Sequence, residues 1–217
     1  VKLAAIIMAT KIFGLTPQVL GLLAIVVILG PLVLYWTLRS GSQIGGSREV
    51  YQEFAQLIGA SWSPPKNQAD TLGPGRVKGR YLDHKISIDS TAPTGAARNQ
   101  LSETVIRVHF SRSLGLGLHA GSGTFRARKS GELELADPRL AKLLRPKAKD
   151  EAGARRLLGD PAVAEAVLTL DQHCRGVAID DGTLACAVPL PTSSEELRAS
   201  VDRVINAIEP FDRALAQ

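Results

Sequence analysis

The sequence predicts an α+β fold: an N-terminal transmembrane helix, then an antiparallel β-sheet domain covered by helices on one face and ending in a long amphipathic helix. Three observations predict it. An uncharged apolar stretch runs from Val19 to Leu38. Apolar residues alternate with period two through much of 76–135 and again over 175–189. Helical apolar spacing then fills the C-terminal segment. Short turns between the alternating segments favour antiparallel pairing, because parallel strands need long crossovers.

The apolar stretch sits in a predicted transmembrane helix over residues 17–39. Val19 to Leu38 reads VLGLLAIVVILGPLVLYWTL, with Thr37 its one clearly polar side chain. Twenty helical residues rise about 30 Å, the thickness of a hydrocarbon core. Tyr35 and Trp36 stand at the C-terminal end, where amphipathic rings favour the membrane interface, and Arg39 follows within reach of headgroups. Gly30-Pro31 predicts a kink and points to a neighbouring helix that re-satisfies the loosened turn. The run is too long for a cleaved signal peptide, and no small-x-small pattern follows it closely. Residues 1–16 are apolar but broken by Lys11, which predicts an interfacial or partner-packed segment. Basic residues flank the span almost equally, so the positive-inside rule leaves the topology open.

Residues 40–47 are Gly/Ser-rich and predict a flexible linker, leaving 48–217 as a soluble α+β domain. A helix over Arg48 to Ile58 would face the core with Val50, Phe54, Leu57 and Ile58, and end at Trp62-Ser63-Pro64-Pro65. Arg76 to Tyr81 and the segment around Ile86 and Ile88 form a first hairpin, with a turn near Asp83-His84. Glu103 to Phe110 and Leu114 to Ala120 predict a second. A three-residue loop there sets Phe110 against Leu114, Val108 against Leu116 and Ile106 against Leu118. Thr124 to Lys129 and Glu132 to Leu135 read as further strands.

Helices follow over Arg139 to Leu144, residues 150–158, and Pro161 to Leu170, where Asp160 is the cap and Val163, Val167 and Leu170 the apolar face. Arg175 to Asp180 and Thr183 to Pro189 flank Asp181-Gly182, a strong two-residue turn signal. Ser193-x-x-Glu196 is a capping box for the last helix, along which Leu197, Val201, Val204, Ile205, Ile208, Phe211 and Leu215 repeat.

The net charge of +5 is unevenly spread. Residues 61–131 carry +7 and residues 132–217 carry −4. Beyond the anchor the balance is too even for a phosphate-tracking surface, so no nucleic-acid partner is expected. A basic middle held near a bilayer is suited to anionic lipid contact.

No segment carries a catalytic motif. LGLGLHAGSG over 114–123 lacks both the dinucleotide and P-loop spacings, and Gly121-Ser122-Gly123 is not a nucleophile elbow. No close Cys/His pairs signal zinc, so neither metal nor cofactor is expected. In the predicted second hairpin, Gly115 and Gly117 fall opposite His109 and Arg107, and His119 opposite Val105. That gives a candidate interaction face of Arg107, His109, Gly115, Gly117 and His119, its glycines leaving backbone open to a ligand or partner. Strand parity sends Cys174 and Cys186 to opposite faces. Unpaired thiols would then lean the domain toward the cytoplasm.

The expectation from sequence is a single-pass membrane-anchored accessory or scaffold subunit of a membrane protein complex, its domain binding a membrane-protein partner. A membrane-tethered module for a lipid or small apolar ligand is the first alternative. A tethered hydrolase or transferase is the second.

Overall fold

The computed structural model describes residues 47–65, 74–91, 103–125 and 133–215. The chain divides into two units, Val1–Ile44 and Gly45–Gln217, and all described residues lie in the second. The expected transmembrane helix, the segment before it, Tyr35, Trp36 and Arg39 lie outside the described residues. Within the described residues no helix is long and apolar enough to cross a membrane.

Helix α1 covers residues 47–57. Ser47, the last residue of the expected linker, belongs to it and is buried. The buried side is Val50, Tyr51, Phe54 and Ala55, while Leu57 is 59% exposed. The core stripe is therefore turned by about one residue from the expected one, because Tyr51 is placed inside. Its hydroxyl donates to Thr104 Oγ1 at 2.8 Å. Burial pushes this phenol well above its ordinary range, and the Thr104 bond pulls the other way. Gly59, at φ +66°, ends the helix, with Ala60 N–H donating to Ala55 O and Gly59 N–H to Gln56 O. That is the paired closure of a glycine-terminated helix.

The chain then forms β1 (Ser61–Ser63), β2 (Arg76–Tyr81), β3 (His84–Thr91), β4 (Glu103–His109) and β5 (His119–Gly121). Helices α2 (Pro138–Leu144), α3 (Glu151–Gly159) and α4 (Pro161–His173) follow. Strands β6 (Gly176–Asp180) and β7 (Thr183–Pro189) precede α5 (Ser194–Ala214). One antiparallel seven-stranded sheet results, in the order β1-β2-β3-β4-β7-β6-β5. The α+β class is as expected.

Local signals held where pairing is local. β2 and β3 form the first hairpin, Tyr81 opposite His84, with Leu82 and Asp83 as its two turn residues. Both have positive φ, the geometry that suits the twist of a two-residue hairpin. β6 and β7 turn at Asp181-Gly182 as expected, Val177 opposite Cys186. Asp137, Asp150, Asp160 and Ser193 all cap their helices. In the last box Ser193 accepts from Glu196 N–H, while the Glu196 carboxylate takes the N–H and hydroxyl of Thr192.

Four expectations fail. Edge strand β1, paired to β2, includes Trp62, where the sequence predicts only the end of the helix. The second hairpin does not exist. β4 pairs with β3 on one side and with β7 on the other, Ile106 opposite Cys186, and residues 114–118 are not a strand. Residues 123–125 form a 3-10 turn and residues 133–135 no strand; 126–132 lie outside the described residues. Finally, Cys174 and Cys186 form a disulfide, their Cα atoms 6.1 Å apart. Cys174 caps α4 and precedes β6, so strand parity does not reach it. The lean toward the cytoplasm loses its premise.

The core joins Val77, Ile86, Ile88, Ile106, Val108, Val177, Ile179, Leu184 and Cys186 from one side of the sheet with the apolar sides of the helices. Leu197, Val201, Val204, Ile208 and Phe211 of α5 are its spine, over about 21 Å of helix. Val105, Ala185 and Ala187, which alternate to the other side, are buried but stand apart from this cluster.

Candidate interaction face

Period-two alternation decides which side chains look away from the core. On β4, Thr104, Ile106 and Val108 point in, so Glu103, Val105, Arg107 and His109 point out. Arg107 is flanked by Ser87 on β3 and Ala185 on β7. His109 is flanked by Thr183 on β7. His119, on β5, lies opposite Asp180 of β6 and shares the outward side. His109 and His119 are thus in one row but three strands apart, about 14 Å at normal strand spacing.

Gly115 and Gly117 are not part of this face. Both have positive φ, +68° and +59°, and they bend residues 114–118 around the Asp181 side chain. That carboxylate accepts from the backbone N–H groups of Leu116 at 3.2 Å, Gly117 at 2.7 Å and Leu118 at 2.8 Å. The Asp181 carbonyl also accepts from Leu114 N–H. Successive amides that converge in this way form an anion cradle, here filled from within. A Cβ on Gly117 would also meet the Lys149 side chain at 2.6 Å. The sequence signal for this was the acid at the β6–β7 turn together with two glycines two residues apart. Nothing local connects them across sixty residues.

The outward groups are largely tied to one another. Asp89 is shared by Arg76 and by Arg107, the latter at 3.0 Å. Asp180 accepts from Gly182 N–H at 2.8 Å, Thr183 N–H at 2.7 Å and Thr183 Oγ1 at 3.0 Å, so its turn engages both oxygens. His109 is held below its ordinary pKa by partial burial and by the nearby Lys85 cation, with Asp180 opposing. Ser122 is buried; its hydroxyl donates to Asp171 at 2.6 Å and accepts from Val177 N–H at 2.9 Å. It clamps β5 to β6 and α4, with Gly123 pressed against the Arg175 carbonyl. Arg107, His109 and His119 therefore do not converge with a free carboxylate or thiol. Among the described residues no group of three or more His, Cys, Asp or Glu is arranged to hold a metal ion.

No protein-family model matches the chain, and no curated protein matches it. The fold is similar to the crystal structure of the mycobacterial trehalose monomycolate transport factor A, TtfA, with a TM-score of 0.51. The match covers 78% of this chain and 94% of that one at 15% identity. At that identity the likeness is one of fold: a helix-bearing antiparallel sheet that accounts for nearly the whole of the other chain.

Proposed function

We propose that this chain is a membrane-anchored accessory or scaffold subunit of a membrane complex that serves transport, with the α+β domain docking on a protein partner. The observation that carries the reading is the fold shared with almost the whole of a transport factor. It is supported by the uncharged apolar stretch Val19 to Leu38 that precedes the domain in sequence. The kink signal at Gly30-Pro31 adds a reason for a partner helix. The Cys174–Cys186 disulfide favours the oxidising side of the membrane for the domain, since glutathione and thioredoxin keep cytosolic thiols reduced.

The ligand-binding alternative requires Leu114, Leu116 and Leu118 to line a cavity. Leu114 and Leu118 are buried members of the common core and Leu116 packs against it, which counts against that reading. A hydrolase or transferase finds no support in the dispersed Arg107, His109 and His119.

The test is purification of the tagged chain from its native membrane in mild detergent, with mass spectrometry of what co-elutes. A stoichiometric membrane protein is the expected result. A lone chain, monomeric or self-associated, would overturn the subunit reading.

A further inference from the structure

Strands β2, β3 and β4 carry a cationic surface on the side away from the core. Alternation puts Arg76, Lys78 and Arg80 there from β2, Lys85, Ser87 and Asp89 from β3, and Arg107 with His109 from β4. Register sets them in rows. Arg80 stands beside Lys85, Lys78 beside Ser87 and Arg107, and Arg76 beside Asp89. Arg76, Lys78, Arg80 and Lys85 are exposed. Asp89 offsets part of the charge through Arg76 and Arg107. Among the described residues Lys78 and Lys85 make no ion pair. Like charges directly across a strand pair, as at Arg80 and Lys85, cost folding free energy. On the same side β7 and β6 add only small neighbours to Arg107, Ala185 and then Ala178.

We propose that this face rests on a bilayer surface bearing anionic phospholipid headgroups. It would be a second membrane contact for a chain already anchored by its apolar segment, and the inference rests on that anchor. Charge complementarity argues for the occupant. Chain length argues for its nearness: residues 39–46 alone separate Leu38 from α1, and eight residues reach at most about 30 Å. A domain held that close meets headgroups continually, and each cation near such a surface strengthens the contact about five-fold.

The test uses the full chain in nanodiscs whose lipids carry a nitroxide at the headgroup. A fluorophore is placed at Ser87→Cys on the face, or at Ala199→Cys, an exposed position on α5. The native cysteines are paired and do not label. The expected result is strong quenching at position 87 in discs of one-third phosphatidylglycerol in phosphatidylcholine, lost in pure phosphatidylcholine or high salt, and weak quenching at position 199. Lys78→Gln with Lys85→Gln should lower the docked-to-undocked ratio about 30-fold. Equal quenching in neutral and anionic discs would overturn the proposal, as would indifference to the double substitution. Protection of position 87 only by co-purified protein would overturn it in favour of an acidic protein surface. Entry into the discs is scored separately. A chain that enters without docking leaves the anchor standing, whereas one that never enters overturns both readings.

Discussion

The two sides of the central strands differ in what their residues can tolerate. Ile106 and Arg107 are neighbours on β4, yet one side chain is fully buried in the core and the other stands beside Ser87 and Ala185 on the outward side. On the core side, shape and apolar area decide stability, because a close-packed interior cannot collapse around a missing side chain. On the other side, exposed charges trade partners at little cost to folding. A surface that tolerates substitution in folding but not in binding is what a docking face requires.

Ile106→Ala and Arg107→Ala should separate the two sides most strongly. The first should cost about 4 kcal/mol of unfolding free energy, the second below about 1 kcal/mol. Denaturant titration of each variant measures both, and similar losses would erase the distinction. Next in size, opening the Cys174–Cys186 link by Cys174→Ala with Cys186→Ala should cost about 3 kcal/mol. Its check is the unfolding midpoint with and without reductant. A wild-type midpoint indifferent to reductant would mean that the link between α4 and β7 carries no stability.

Asp181→Ala probes the cradle at the end of β6. It leaves three backbone donors without their carboxylate and should cost about 2 kcal/mol, most visibly as faster hydrogen exchange at Leu116 to Leu118. Unchanged exchange there would remove the reason given for the two glycines. Ser193→Ala removes one cap from α5 and should cost about 1 kcal/mol by the same titration.

The smallest expected effect is electrostatic. His109 titrates below its ordinary value in the folded chain. The unfolded chain therefore takes up its proton first as pH falls, so the stability present above pH of about 6.5 is lost as pH drops toward the folded value. His109→Gln should flatten that decline, and Lys85→Gln should reduce it by removing the second cause. Stability curves of the three proteins across mildly acidic pH check the sign; a steeper decline in His109→Gln would contradict it.

Arg107, His109 and His119 do look outward together, because strand alternation is local and survives any choice of partner strand. Gly115 and Gly117 were drawn into the same face through a hairpin that does not form. A three-residue loop would permit that hairpin, but β4 is instead satisfied by β7, whose Cys186 lies opposite Ile106. The alternation of Leu114, Leu116 and Leu118 reflected two core contacts and a loop wound around Asp181, which has the same period as a strand over so short a run. At Cys174 a helix cap interrupts the strand parity that places Cys186, so alternation alone does not position it.

Hydrogen bonds and side-chain periods within a few residues decide the features that are legible in the chain alone. Those are the α+β class, a turn close to Asp83, the turn at Asp181-Gly182, the capped helices and the amphipathic α5. Tertiary structure alone decided the strand order, the insertion of β7 beside β4, the disulfide, and the gathering of Arg76, Lys78, Arg80, Lys85 and Arg107 on one side. The physical reason is that burial is collective. Each amphipathic element specifies a face to hide, but many partners satisfy it equally, and only the packed whole selects among them.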